Sequence, residues 1–246
     1  MILAASYNIR KAICADRRRR PDRILEVLAE LDADIVALQE CDRRFGARTS
    51  AIPATMLAEH SEYKAVPFDI RHGSMGWHGN AVLVKKDVDI LRFQPLVLPA
   101  LEPRGAVIAD LEVRGVVVRL VGMHLDLSGL WRRKQVRELL AQLAALPDRL
   151  PTIMMGDLNE WRESQGCLRD FAEHHRVLPT GPTFHAKRPL ARLDRIIVSD
   201  DIEVDEVGVH HSAMARIGSD HLPVWARFAP RTSTCEPIRV RDDFAL

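Results

Sequence analysis

The side chains of this sequence that can do chemistry stand in short polar clusters, each following or leading into an apolar, strand-like run. They are Tyr7-Asn8, Gln39-Glu40, His124-Leu125-Asp126, Asp157-Leu158-Asn159 and Ser219-Asp220-His221. The ends of several strands are where α/β scaffolds build sites, because the framework is rigid there and the loops are free to vary. Pooled, the clusters supply a carboxylate for a metal, amides to orient groups, a carboxylate base and one or two imidazoles. That inventory suits metal-assisted phosphoryl chemistry. Asp157 and Asn159 are two residues apart, so in extended chain both address one small volume. In Asp220-His221-Leu222-Pro223 the proline holds Leu222 extended and helps fix how His221 is presented.

Taken singly, each piece has an ordinary reading. Glu40 suits a solvated loop or a helix cap, Asn8 a turn, and His124 a satisfied, half-buried histidine. Asp220-His221 is a pair that chance also produces. Asp194 begins a strand containing Ile196, Ile197 and Val198, so it is expected at the edge of the core, where a carboxylate needs a partner such as Arg195 or a histidine.

The elements that must position these residues are legible in outline. Residues 2–7, 35–38, 81–84, 106–113, 116–123, 152–155, 193–198, 202–209 and 224–228 read as strands. Arg114-Gly115 joins two of them in the manner of a hairpin. A helix opens at Pro21, with Ile24, Leu25, Leu28 and Leu31 at helical spacing. Residues 130–146 form the clearest helix, with Val136, Leu139, Leu140, Leu143 and Leu146 on one face. Shorter helices are expected within 50–59, starting near Pro53, and over 165–174. Many strands are apolar on both faces, which implies sheets buried under helices.

Length and composition bound the rest. The chain has 246 residues, 47% hydrophobic and 28% charged, enough for a sizeable core without disulfides or a structural metal. Neither a repeat nor a linker divides it, so one domain over 1–230 with a surface tail over 231–246 is expected. No run approaches a membrane span, and the opening MILAASYNIRKAI lacks the pattern of a signal peptide, which favours a cytoplasmic location. Cys14, Cys41, Cys167 and Cys235 form no CxxC pair. The net charge of +1 argues against a general polycation. Locally, however, basic residues bunch at 10–23, at Arg43, Arg44 and Arg48, and at Arg132, Arg133 and Lys134; they serve equally as solvated loops or as a rim for an anionic substrate.

The ordered segments YNIR, LQE, HGNAVLV, HLD, GDLN, RLDRIIV and SDHLPV resemble the endonuclease/exonuclease/phosphatase family, also called the deoxyribonuclease-I-like fold. The resemblance runs from residue 3 to about residue 228, and Arg132 and Gln135 match its R-x-x-Q. It implies a four-layer α/β/β/α sandwich: two mostly antiparallel sheets face to face, helices outside, and a site at one end. By the same resemblance Glu40 would be the principal Mg²⁺ or Mn²⁺ ligand, with Asn8 and Asp220 beside it. His221 would contact the scissile phosphate, oriented by Asp194. Asp157 would position or deprotonate the attacking water, Asn159 would hold a phosphate oxygen, and His124 would face the leaving group. Asn80 and Arg104 would line the phosphate pocket.

The expected activity is a metal-dependent phosphodiester hydrolase acting on a nucleic acid, a phospholipid head group or a small phosphodiester, most simply as a monomer. An inositol-phosphate type of phosphomonoesterase is the alternative, and a non-catalytic relative the third reading. A nuclease of long duplex would need an extended phosphate-binding surface and inserted side chains, whereas aromatics make up only 5% of the chain. Trp77 and Trp131 are expected to pack into the core.

Overall fold

The computed structural model describes residues 1–42, 49–68 and 73–231. Arg43, Arg44, Arg48, Cys235 and the tail beyond Arg231 lie outside the described residues. The chain begins with β1 (Ile2–Asn8), α1 (Pro21–Leu31), β2 (Ile35–Gln39), α2 (Ala54–His60), β3 (Tyr63–Ala65) and β4 (Ala81–Lys85). Next come β5 (Asp89–Leu96), β6 (Gly105–Val113), β7 (Val116–His124), α3 (Gly129–Ala144) and β8 (Thr152–Asp157). The last part holds α4 (Cys167–Ala172), β9 (Arg176–Val177), β10 (Asp194–Val198), β11 (Ile202–Val209), α5 (Ala213–Gly218) and β12 (Val224–Pro230).

Two six-stranded sheets result, in the orders β11-β12-β1-β2-β4-β3 and β5-β6-β7-β8-β10-β9. In each, the central pair is parallel (β1 with β2, β7 with β8) and every other pair is antiparallel. A parallel pair needs a crossover connection, and α1 and α3 supply it. Between the sheets lies a core that includes Ile35, Val82, Val107, Leu120, Ile153 and Ile196. On the outer side of the first sheet, Ile24, Leu28 and Leu31 of α1 pack with Tyr7, Val36 and Leu38. On the outer side of the second, Val136 and Leu139 of α3 and Phe171 of α4 pack with Val121, Met154 and Ile197. The layers are therefore helix, sheet, sheet, helix, and the central strands are apolar on both faces because each covers two of these cores.

Pro21 occupies the first turn of α1, where its missing N–H costs nothing, and the helix stops at Asp32 in a left-handed conformation. Arg114 and Gly115 both have positive φ, as a two-residue hairpin turn requires. Several elements leave no clear mark in the sequence pattern. β5 is an edge strand, largely exposed, with an irregular register and Pro95 near its end, so it shows no clean alternation. β3 and β9 are too short to show a period. α5 is a short helix whose signal is a single cap, the Ser212 hydroxyl accepting from Ala215 N. α4 is shorter than expected because Gly166, at φ 63°, starts it late. Among the described residues no helix is long and apolar enough to cross a membrane.

One glycine decides how closely the two strands of the second parallel pair approach. A Cβ on Gly156 would stand 1.8 Å from the Met123 carbonyl oxygen, with the backbone at φ 158°. Replacing it with alanine forces β8 away from β7. We expect Gly156→Ala to cost at least about 1–3 kcal/mol in urea unfolding; wild-type stability would show that the strands can separate freely.

Candidate active site

The register of the sheets brings the polar clusters to one end of the sandwich. β1, β2, β7 and β8 finish there, and their antiparallel neighbours β4, β6, β10 and β12 start there. Gly105, His124, Asp157 and Asp194 stand opposite one another along a single row across the second sheet. Asn8 ends β1 on the facing sheet, and Asp220 and His221 precede β12.

Asp157 Oδ2 is the meeting point. Asn8 Nδ2 donates to it at 2.9 Å from the other sheet, His124 Nε2 lies 3.4 Å away, and His221 Nε2 lies 3.8 Å away. His221 Nδ1 lies 2.8 Å from Asp194 Oδ2, which also accepts from the Thr183 hydroxyl. Asp194 is 0% exposed, deeper than the core-edge position the sequence suggests. Its side-chain partners are His221 and Thr183, whereas Arg195 hydrogen-bonds the Asp194 main-chain carbonyl. Ser219 Oγ donates to Asn8 O at 2.7 Å, tying the loop before β12 to the end of β1.

Electrostatics sort these groups. Burial alone would depress the His221 imidazole, but the charges of Asp194 and Asp157 outweigh it and lift the pKa to about 10. Burial opposes the charge of Asp157 as well, yet His221 and His124 hold that carboxyl below its ordinary range. Burial prevails at Asp194 and raises it. The protonated form of His221 is thus favoured where its ring lies between Asp157 and Asp194.

Asn159 sits beside Asp157, though not by strand alternation. The strand ends at Asp157, Asn159 turns left-handed at φ 51°, and its N–H donates back to Asp157 Oδ1 at 2.9 Å. Its Nδ2 donates to Leu125 O. Arg104 contacts His124 Nε2 through Nη1, which also donates to Leu125 O at 3.0 Å. Asn80 is fully buried: its Nδ2 donates to Trp77 O and Gly105 O, and its Oδ1 has no hydrogen-bond partner. It closes the turn through His78 and Gly79, both at positive φ, that leads into β4.

A second, more open group lies beside the first. Glu40 has φ 53°, a conformation that non-glycine residues seldom adopt and one that turns it out of line after β2. Its carboxylate pairs with the Lys11 ammonium, and Asp220 pairs with Arg10 at 3.2 Å. Burial opposes the Glu40 charge, but His124, Lys11 and Arg104 hold its carboxyl below the ordinary value. Glu40 and Asp220 carry carboxylate oxygens, the donors a hard divalent cation prefers, and the Asn8 amide oxygen accepts from Arg10 N at 3.1 Å. Asp157, Asp194 and His221 also place one ligating atom each within 4.8 Å of one another. A cation there would compete with the proton of His221.

Several contributors carry little signal in the sequence. Thr183 and Ser219 are small hydroxyl residues with no motif beyond their neighbours, and Lys11 belongs to a basic run read as either a solvated loop or a rim. Arg132 is grouped with that rim by sequence, but it is 7% exposed and bonds to Asp126 O, Leu127 O and Glu160. Gln135 accepts from Asp126 N, so the R-x-x-Q pair braces the loop after His124. Asp126 serves the same loop, accepting from Leu101 N and Ser128 N. Of the tryptophans, Trp77 packs partly into the core, whereas Trp161, which no motif marks, stands 65% exposed.

The family model for the Endonuclease/Exonuclease/phosphatase family matches residues 5–221. The chain belongs to that family. It is therefore a phosphoesterase of this metal-dependent class, acting on a phosphate ester. The chain is 28% identical over 213 residues to the YbhP protein of Escherichia coli (strain K12), described as uncharacterized, covering 79% of this chain and 83% of that one. Its fold is that of a mannosyl-6-phosphatase of Bacteroides thetaiotaomicron (TM-score 0.75, 20% identity, 93% of this chain and 100% of that one). It is equally that of D. rerio TDP2 complexed with a single-strand DNA product (TM-score 0.71, 18% identity, 93% and 98%).

The raised imidazole has a consequence for stability. His221 titrates near 10 when folded against about 6.5 when unfolded. Its contribution is thus full below about pH 6.5 and is lost as pH rises through about 10. In urea unfolding with EDTA present, the gap between wild type and His221→Gln should be widest near pH 6 and narrow steadily up to pH 10.5. A constant gap would mean that His221 is neutral in the fold.

Proposed function

We propose that the protein is a divalent-metal-dependent phosphodiesterase whose Asp157 positions the attacking water. The observation that carries this reading is the convergence of Asn8, His124 and His221 on one oxygen of Asp157, with Asp194 behind His221. The transition state of phosphoryl transfer demands positioning and charge stabilisation more than a strong base. A carboxylate held firmly ionised by its neighbours meets that demand, since it orients a water and receives the proton only as the new P–O bond forms. Asn8 fixes the rotamer of Asp157 from the opposite sheet.

His221 serves as a charged donor to the phosphoryl oxygens, and Asp194 with Thr183 holds its ring so that Nε2 faces the site. Arg104 and His124 lie on the side toward β6 and β7, where they can share the charge of the phosphate or leaving group; Asn159 keeps the turn after Asp157 in place and its amide near a phosphate oxygen. Glu40, Asn8 and Asp220 would hold a Mg²⁺ or Mn²⁺ ion, which when bound neutralises phosphate charge. Lys11 and Arg10 must then give up their present partners. The likeness to a mannosyl-6-phosphatase supports a second reading, a phosphomonoesterase with the same central groups.

Hydrolysis of bis-p-nitrophenyl phosphate beside p-nitrophenyl phosphate, with Mg²⁺, Mn²⁺ or EDTA, separates the two. The diester should be cleaved in a metal-dependent way; cleavage of the monoester alone would replace the first reading with the second. Asp157→Ala should lower turnover by about 10²–10⁴-fold and His221→Ala by about 10²–10³-fold, both without loss of fold by circular dichroism. Calorimetric titration with Mn²⁺ should show binding weakened by about tenfold or more in Glu40→Ala. Undiminished activity in either catalytic variant, or undiminished Mn²⁺ affinity, would overturn the corresponding assignment.

A further inference from the structure

Beside the site an open groove of about 540 Å³ runs between the first turns of α3 and the segment that follows Asn159, and no step above uses it. Its size falls in the range of about 300–1,000 Å³ common to ligand sites. The walls carry four guanidinium groups, Arg132, Arg133, Arg162 and Arg169, against one carboxylate, Glu160, which already accepts from Arg132. Arg132 is buried, and its Nε has no hydrogen-bond partner. Arg133 shares Asp170 with Arg137. Arg162 and Arg169 are exposed and form no ion pair among the described residues.

Trp161 lines the same groove and leaves most of its indole in water, an unusual place for so large an apolar surface. Its ring meets Phe184 edge-on with centroids 6.1 Å apart, and Phe184 in turn lies 5.0 Å from the ring of His221. A path of rings thus leads from the catalytic imidazole to a basic groove. Guanidinium groups recognise phosphate in a bidentate way, and an exposed indole offers a stacking face for a nucleobase.

We propose that this groove binds the flanking nucleotide of a single-stranded oligonucleotide, with a non-scissile phosphate on Arg162 and Arg169 and its base stacked on Trp161. The proposal deepens the phosphodiesterase reading by naming the substrate class, and it rests on that reading for the position of the scissile phosphate. An inositol polyphosphate would use the arginines but has no aromatic ring to stack on Trp161, so the indole is what separates the two.

The test is fluorescence anisotropy of 5′-fluorescein-labelled dT6 with the full chain in EDTA, where turnover is stopped. The double variant Arg162→Glu/Arg169→Glu should bind at least about tenfold more weakly. Its plot of log K against log salt should flatten by about 0.7, the value for one phosphate contact on a single strand. Trp161→Ala should weaken dT6 binding by about fivefold or more, with Trp161→Phe restoring much of it, while competition by inositol hexakisphosphate stays unchanged. Hydrolysis of bis-p-nitrophenyl phosphate, too small to reach the groove, should be the same in all these variants, which also shows that they fold. No binding of dT6 by the wild type, or unchanged affinity in either the arginine or the Trp161→Ala variant, would overturn the proposal. If dT6 binds as expected but the wild type cleaves no phosphodiester, the activity reading fails and the groove assignment stands.

Discussion

Asp157 and Asp194 are buried opposite one another on adjacent strands, and burial works against the charge of each. Two carboxylates so placed repel and lose hydration; what stabilises them is the ring of His221, bonded to one and close to the other. The imidazole is in turn forced to keep its proton. None of the three has this character alone, and the arrangement holds only if the strands stay in register and the loop before β12 stays docked on β1. Ser219, which does not react, performs that docking, and the Thr183 hydroxyl bonds Asp194.

The sandwich suits this demand because of how its strands run. Each sheet has one parallel pair at its centre and antiparallel neighbours on both sides, so strand ends and strand starts alternate along a single edge. With two such sheets face to face, residues far apart in the chain meet: Asn8 reaches Asp157 across 149 positions. The close approach at Gly156 keeps His124 and Asp157 on the same row. Positive backbone angles at Glu40 and Asn159 mark where the chain leaves the regular strand to aim a side chain inward.

Around this fixed geometry the chemistry divides by exposure. The innermost groups, Asp157, Asp194 and His221, are dry, where fixed charges act most strongly on a reacting phosphate. Glu40 and Asp220 are partly exposed and paired with Lys11 and Arg10. Farther out, the groove that Trp161 lines is open and basic. Of the local basic runs, only those whose guanidinium groups lack carboxylate partners remain free to meet an anion.

The class of the protein is legible in its sequence: apolar runs followed by Asn8, Glu40, His124, Asp157 and His221, in that order, mark both the strands and the polar ends that must converge. Legible too are α1, α3 and the Arg114-Gly115 turn, because helical periodicity and a two-residue turn are local properties of the chain. Which of these groups touch is a matter of tertiary structure. That His221 lies between two carboxylates depends on strand order and register, which no local pattern encodes. That Arg132 is a buried brace on Glu160 while Arg169 is exposed depends on how α3 and α4 pack against their neighbours. The exposed edge strand β5, the two-residue β9 and the isolated Trp161 are illegible for the same reason. Their positions are set by contacts with distant segments, and a single short stretch of sequence carries no record of its neighbours in space.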